Sequence, residues 1–214
     1  MKKDSSLNRY DLFIFDWDGT LCEMHSLLRL NEWIKRRLHT WNRTAKIKEI
    51  EANRKNLKSA IEIEQTKNEF LAIIFEAAAV FYKPRLHRNA VDLITLLRKK
   101  GKRVAILSNG NGGRLSKELG RMGIRDKFNL VVSAKDIGAI KPDPRGLNVV
   151  ISRLRAKKSR TLYIGDMIDD VLTADLAGID SCAVSNGFDS HEKLRSAGPT
   201  YLLRGLAEFY TKIQ

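Results

Sequence analysis

The hydrophobic residues of this chain fall into short continuous runs and do not alternate with polar ones. Six such runs are bounded by turn residues or charges, at 10–16, 103–108, 129–134, 161–165, 181–185 and, more weakly, 200–203. Strands that are buried on both faces have this pattern. Helical patterns lie between most of the runs, at 88–100, 113–122, 144–157, 168–177, 189–197 and 204–213. Strands that alternate with helices predict a parallel α/β sheet covered on both faces, although the pattern does not give the strand order.

One interval interrupts this alternation. Residues 23–83 carry no strand pattern, and apolar residues recur at three- and four-residue steps from Leu27 to Trp41, which predicts an amphipathic helix. A second long helix is predicted over 65–82, because Pro84 is a suitable stop. The chain is therefore predicted to form a Rossmann-like α/β core of residues 1–22 and 84–214. A small α-helical cap domain of residues 23–83 would be inserted after the first strand.

Charge and composition change this picture little. The 214 residues carry a formal net charge of +14, which suits an anionic partner such as nucleic acid or a phosphorylated substrate. The basic residues are spread along the whole sequence, so we favour a solvated basic surface over a nucleic-acid site. The two cysteines, Cys22 and Cys182, form no disulfide framework or metal motif. With no apolar run long enough for a membrane span or a secretory signal, we expect a cytoplasmic protein without a membrane partner.

Acidic residues follow two of the predicted strands. Asp16 and Asp18 come directly after the first strand, and side chains two residues apart on an extended chain point the same way. Two carboxylates placed like this repel each other unless a cation or a division of catalytic roles removes the cost. Asp166, Asp169 and Asp170 follow the run 161–165, where they could bind a small cation or cap a helix. The residues alone leave both readings open.

Polar residues of a different kind follow two other strands. Ser108 and Asn109 offer a hydroxyl and an amide that suit a phosphate oxygen, although Ser-Asn-Gly is also a common turn. Lys141 supplies a positive charge from a loop that Pro142 and Pro144 stiffen. The two acidic segments, the segment of Ser108 and the segment of Lys141 all lie just past the carboxyl ends of predicted strands. Open α/β sheets bind ligands at this edge. We therefore expect one site at this edge.

Taken in order, four segments resemble the four motifs of the haloacid dehalogenase (HAD) superfamily of phosphohydrolases. They are DWDGTL (16–21), SNG (108–110), KPDP (141–144) and GDMIDD (165–170). The insertion after the first strand is similar to the helical type-one cap of that family. The resemblance implies that Asp16 is the nucleophile that becomes an aspartyl-phosphate. Asp18 would protonate the leaving oxygen and then activate the hydrolytic water.

The resemblance also implies the binding residues. Thr20, Ser108, Asn109 and Lys141 would contact the phosphoryl group, and Lys141 would also pair with the nucleophile. A Mg²⁺ cofactor would be held by the Asp16 carboxylate, the Asp18 backbone carbonyl and Asp166. Asp170 would act in the outer shell of the ion, and the role of Asp169 stays open.

The expected activity is hydrolysis of a phosphate monoester on a small phosphorylated metabolite, similar to phosphoglycolate or a sugar phosphate. Family members that dehalogenate resemble this pattern without the second aspartate, so Asp18 and Asp166 argue against dehalogenation. Two alternatives remain: a phosphomutase on the same fold, or a basic nucleic-acid-binding or scaffold protein that reuses it. The sequence does not predict the oligomeric state.

Overall fold

A computed structural model describes residues 7–23 and 84–214 of the chain. Within these ranges it contains one six-stranded sheet in the order β3-β2-β1-β4-β5-β6, in which all neighbouring strands are parallel. The strands are β1 Leu12–Phe15, β2 Arg103–Ser108, β3 Leu130–Ser133, β4 Thr161–Gly165, β5 Asp180–Val184 and β6 Tyr201–Leu203. The predicted parallel α/β sheet is thus confirmed, and each of the six apolar runs contains or overlaps one strand.

The described ranges contain six α-helices, of which five connect successive strands and the sixth follows β6. They are α1 Ala90–Lys99, α2 Gly112–Arg121, α3 Arg145–Arg153, α4 Ile168–Ala177, α5 His191–Ser196 and α6 Leu206–Ile213. Short 3-10 helices at Leu7–Arg9, Arg125–Lys127 and Lys158–Arg160 precede β1, β3 and β4. None of the helices in this part of the chain is both long enough and apolar enough to cross a bilayer.

One predicted helix, 144–157, is shorter than expected. Helix α3 ends at Arg153, and Arg155 takes a left-handed backbone conformation with a φ of 48°. The amide of Arg155 donates to the carbonyl of Ser152, and the amide of Ala156 donates to the carbonyl of Ile151. These two bonds close the helix as a Schellman motif, which usually places glycine where Arg155 lies. Because no glycine marks this end, the apolar pattern overestimates the helix length.

The sheet is buried on both faces, as the continuous apolar runs predict. In β1, Phe13 and Phe15 pack into a cluster that includes residues of α1 and α6, with their rings 6.1 and 6.4 Å from the ring of Phe209. Leu12 and Ile14 point to the other face and pack with residues of α3 and α4. Full burial of each such side chain stabilises the fold by about 1.5–3 kcal/mol. This two-sided packing fixes the position of the strand that carries Asp16.

The register of the central strands sets which side chains meet at the carboxyl edge. Phe15 of β1 pairs with Ile106 of β2 and with Ile164 of β4. Asp16 follows at the next position, and its amide donates to the carbonyl of Ile164 at 2.8 Å. The residues that follow β1, β2 and β4 therefore lie side by side at one edge of the sheet.

Contacts within the chain group residues 1–24 with 83–214 in one unit and residues 25–82 in another. The predicted helical cap, 23–83, lies almost entirely outside the described residues. Its helices and its role stay predictions.

Candidate active site

Three buried carboxylates converge at the carboxyl edge of the sheet. Asp16 follows β1, Asp166 follows β4, and Asp170 lies in the first turn of α4. Each offers one oxygen within 4.8 Å of those of the other two. Their exposed fractions are only 3%, 0% and 2%. Acids from two distant segments thus meet at a single point, as the motifs predict.

Lys141 lies against two of these acids. Its Nζ donates to Oδ1 of Asp16 at 2.7 Å and to Oδ1 of Asp170 at 2.7 Å. The ammonium is itself buried, and although burial opposes its charge, the two carboxylates raise the pKa of Lys141 well above its ordinary value. The lysine is thus held in its charged form beside the nucleophile candidate.

One ammonium does not balance three carboxylates. Burial raises the pKa of Asp16 to about 7, against the opposing attraction of Lys141, and burial together with Asp16 and Asp170 raises the pKa of Asp166 well above its ordinary value. A small divalent cation would remove this excess negative charge, and clustered carboxylate oxygens are the hard ligands that such ions prefer. The side chains present therefore fit a divalent cation.

The Asp166 carboxylate is fixed from two sides. The hydroxyl of Thr20 donates to Oδ1 at 2.8 Å, and the backbone amide of Phe188 donates to Oδ2 at 2.6 Å. Gly19 and Gly187 pack closely against this carboxylate. A Cβ added at Gly19 would lie 2.3 Å from Oδ2 of Asp166, and one added at Gly187 would lie 2.0 Å from it. Gly19 also has a φ of 86°, which favours glycine. In this structure the side chain of Thr20 orients Asp166, and its predicted contact with phosphate stays a prediction.

Asp170 is similarly held by several donors. Besides Lys141, the Tyr163 hydroxyl donates to its Oδ1 at 2.9 Å and the Met167 amide donates to its Oδ2 at 3.0 Å. Tyr163 is a buried residue of β4 that the motifs did not reveal. Asp170, and not the adjacent Asp169, completes the acid cluster among the described residues.

Asp18 has a different partner, Arg114 of α2. The Arg114 guanidinium contacts both carboxylate oxygens of Asp18, with Nη1 donating to Oδ1 at 3.0 Å. Nη1 also lies 3.3 Å from Glu118 one turn later, and Glu118 accepts from the indole N–H of Trp17 at 2.7 Å. Sequence reasoning missed this chain of contacts. Its signal was Trp17, a large apolar residue between two aspartates whose N–H needs a buried acceptor.

The remaining predicted residues form the end of β2 and the lysine loop. Ser108 is buried, and its Oγ accepts from the amide of Gly110 at 3.0 Å. Asn109 accepts from the backbone amide of Lys141 at 2.9 Å, which ties the lysine loop to β2. Asn111 then caps α2 by accepting from the amides of Gly113 and Arg114, so residues 110–113 form a turn into this helix. The contacts of Ser108 and Asn109 with phosphate stay predictions.

Comparison with known proteins agrees with this geometry. The family model described as haloacid dehalogenase-like hydrolase matches residues 13–184. A phosphoglycolate phosphatase from Pectobacterium atrosepticum is 25% identical over 150 residues, which are 70% of this chain and 63% of that protein, so the match spans less than two thirds of the relative. (S)-2-haloacid dehalogenase 2 from a Pseudomonas species is 23% identical over 211 residues, covering 91% of this chain and 92% of that protein.

A solved structure gives the same result. The crystal structure of a haloacid dehalogenase-like hydrolase from Bacteroides fragilis superposes with a TM-score of 0.69 at 25% identity, covering 94% of this chain and 99% of that one. The family model spans most of the chain, including the segments of Asp16, Lys141 and Asp166. This chain therefore belongs to the haloacid dehalogenase-like hydrolase family.

Proposed function

We propose that this protein is a Mg²⁺-dependent phosphatase that hydrolyses a phosphate monoester through an aspartyl-phosphate on Asp16. The observation that carries the proposal is the buried cluster of Asp16, Asp166 and Asp170 with Lys141 bonded to the first and third. Phosphoryl transfer depends mainly on positioning the reactants and on neutralising negative charge. The fixed carboxylates of this cluster would serve the first need, and Lys141 with a bound cation would serve the second.

In the first half of the reaction, a carboxylate oxygen of Asp16 attacks phosphorus and the bond from phosphorus to the ester oxygen breaks. Asp18 donates a proton to that departing oxygen, so the product leaves as an alcohol. Lys141, within 2.7 Å of Asp16, favours the charged form of the nucleophile and attracts the phosphoryl oxygens.

In the second half, water attacks phosphorus of the aspartyl-phosphate and gives a proton to Asp18. The bond between phosphorus and the Asp16 oxygen breaks, which releases phosphate and restores both carboxyl groups. Arg114 holds both oxygens of Asp18, which places this carboxylate at the site as a base for the water. To act as the acid in the first half, Asp18 must release one oxygen from Arg114 and carry the proton on it.

The residues that would hold Mg²⁺ are the Asp16 and Asp166 carboxylates and the Asp18 backbone carbonyl, with Asp170 in the outer shell. When bound, the ion supplies Lewis-acid stabilisation of the phosphoryl oxygens. The donors on Asp166 and Asp170 support this assignment because they leave each carboxylate in one orientation. The buried position of the cluster strengthens each of these charge interactions.

For the substrate, we propose a small phosphorylated metabolite of the phosphoglycolate or sugar-phosphate type. The match to a named phosphoglycolate phosphatase supports the first of these. We propose that substrate specificity comes from the predicted cap, residues 23–83.

The match to a haloacid dehalogenase makes dehalogenation the second candidate. Displacement of a halide needs a carboxylate nucleophile, but halide leaves without a proton. The second aspartate, Asp18, would have no leaving group to protonate, and Asp166 would have no metal ion to bind, because that reaction needs neither. The acid cluster therefore favours phosphate ester hydrolysis.

The deciding experiment measures phosphate release from p-nitrophenyl phosphate and phosphoglycolate with Mg²⁺ or with EDTA. Chloride release from 2-chloropropionate is measured in parallel. The variant Asp16→Asn should lose activity by about three orders of magnitude or more, because the amide keeps the shape without the nucleophilic charge. Asp175→Asn, an exposed aspartate of α4, is the matched control and should behave as wild type. Phosphatase activity that survives in Asp16→Asn, or chloride release in its place, would refute the proposal.

A further inference from the structure

Two segments of the chain are strongly basic and contain no acid. Residues 98–103 read RKKGKR and residues 153–160 read RLRAKKSR, and each segment carries five lysines and arginines. The two segments are about 50 residues apart, so the sequence alone does not group their basic residues. In the fold, however, one segment leads into β2 and the other into β4, the two strands that flank β1.

The two segments are in contact with each other and with the start of β1. The guanidinium of Arg103 contacts the carbonyl of Leu154. The backbone of Asp11 links both segments, since its amide donates to Arg160 at 2.8 Å and its carbonyl accepts from Arg103 at 2.9 Å. Strands two places apart in a sheet are separated by about 10 Å. The two segments therefore lie next to each other, and we call their ten cations, those of residues 98–103 and 153–160, the amino-edge basic surface.

Little of this charge is neutralised within the described ranges. Lys102 donates to the carbonyl of Asn8 at 2.7 Å, and Lys158 donates to the carbonyl of Ala177 at 2.7 Å. Such bonds to neutral carbonyls hold the side chains in place and leave their charge uncompensated. One carboxylate, that of Asp11, forms ion pairs with this surface: it contacts Arg160 and lies 3.9 Å from Lys102.

Structural needs explain only part of the surface. Arg98, Lys99 and Arg153 lie at the ends of α1 and α3, where cations interact favourably with the helix dipole. The other seven cations lie outside these helices. The substrate does not account for them either, because they precede the strands and the acid cluster follows them, at the opposite edge of the sheet.

We propose that the amino-edge basic surface binds the phosphate backbone of nucleic acid. A duplex carries about one negative charge per 1.7 Å of its axis, so several phosphates can face the ten cations of these two neighbouring segments at once. A membrane surface fits less well, because peripheral binding usually adds apolar side chains that insert into the lipid. The exposed large apolar residue among the described ones is Ile137, which lies in the loop after β3 at the other edge. With no exposed aromatic ring for stacking on bases in these two segments, binding is expected to be independent of sequence.

The test is the binding of fluorescein-labelled 20-base-pair DNA and RNA duplexes of mixed sequence, measured by anisotropy between 50 and 200 mM NaCl in EDTA. If about six phosphates are contacted, the logarithm of affinity should fall with the logarithm of salt with a slope of about −5. One variant replaces exposed cations of the surface, Lys99→Gln, Lys100→Gln, Arg153→Gln and Lys157→Gln. The matched control removes the same charge from exposed positions outside both segments, Lys117→Gln, Lys193→Gln, Arg195→Gln and Arg204→Gln.

The surface variant should bind both duplexes about thirtyfold more weakly at 100 mM NaCl, and the control should stay within about threefold of wild type. Equal losses in both variants would mean that net charge alone causes binding, and would overturn the proposal. So would no binding at 50 mM NaCl, or tighter binding to vesicles with anionic lipid or to polyglutamate of equal charge. Phosphate release by the surface variant should be unchanged, so this result is independent of the proposed enzymatic function.

Discussion

Gly187 lies where a side chain would collide with Asp166, and Gly187→Ala therefore tests whether the placement of this acid matters. An alanine Cβ would stand 2.0 Å from Oδ2, 2.4 Å from Cγ and 2.5 Å from Cβ of Asp166. The backbone of Gly187 is outside the left-handed region that disfavours alanine, so the collision is the main effect of the substitution.

The magnitude follows from what the clash displaces. Ordinary contact needs roughly 3.4 Å or more, so Asp166 or the segment around Gly187 must move by over 1 Å. Such a shift breaks a bond to the Asp166 carboxylate, from the Thr20 hydroxyl or from the Phe188 amide next to the substitution. Losing one such bond costs about 2 kcal/mol, which lowers the Tm by about 4–8 °C in a chain of this size. A misplacement of about 1 Å at a catalytic group lowers kcat/KM by about a hundredfold.

The assay combines kcat/KM for p-nitrophenyl phosphate over a range of Mg²⁺ concentrations with thermal unfolding. We expect Gly187→Ala to need more Mg²⁺ and to lose about a hundredfold in kcat/KM. Gly120→Ala is the control, because its Cβ meets nothing within 4 Å and alanine stabilises a helix interior by up to about 1 kcal/mol. Wild-type Mg²⁺ dependence and kcat/KM in Gly187→Ala would refute the assignment of Asp166 to the ion. A lower Tm alone would mean that the contact is structural.

Two further predictions concern the other acids. Burial raises the pKa of Asp16 to about 7, so without a divalent ion the folded protein holds a proton that the unfolded chain releases near pH 4. The free energy of unfolding should then fall as the pH rises from about 4 to 7. In EDTA, the wild-type Tm should be lower at pH 8 than at pH 5, and the difference should be smaller in Asp16→Asn. Equal wild-type Tm values at the two pH values would contradict this. Arg114→Lys removes the bidentate contact that positions the Asp18 carboxylate. The kcat for an alkyl phosphate should therefore fall about tenfold, and the kcat for p-nitrophenyl phosphate should fall less, because its leaving group needs no proton. Equal losses on the two substrates, measured side by side, would argue against a role in proton transfer.

The strands and the acid cluster could be predicted because each depends on a local signal. Continuous apolar runs predict strands buried on both faces, and residues at the carboxyl ends of adjacent parallel strands must lie together. Asp16 and Asp166 are the clearest case, since each is the first residue after its strand. The strand order was not predictable, because it depends on which helix packs on which face. With β1 between β2 and β4, the order explains why the motifs after all three strands meet.

Other contacts at the site could not be predicted because they join residues without a motif. Tyr163 reads as one more apolar residue of β4, and only the fold shows its hydroxyl on Asp170. Arg114 is one of many basic residues in the sequence, and its hold on Asp18 depends on how Asn111 caps and aims α2. Such residues form the supporting layer of the site, in which geometry and not residue type carries the information.

The buried carboxylates lower the stability of the folded chain, and the surrounding residues compensate for this cost. Burial and mutual repulsion raise the pKa of Asp16 and Asp166, so the cluster destabilises the folded chain wherever both are ionised. The two-sided apolar core supplies stability elsewhere, and donors such as Thr20 and Tyr163 limit the ways in which the cluster can relax. A site in which neutral side chains replaced some of the carboxylates and made hydrogen bonds would be more stable. It would, however, lack the concentrated negative charge that attracts a divalent ion. The strain that costs stability in the metal-free protein is therefore the same property that makes the site fit a cation, and a variant that relieves it should gain stability as it loses affinity for the ion.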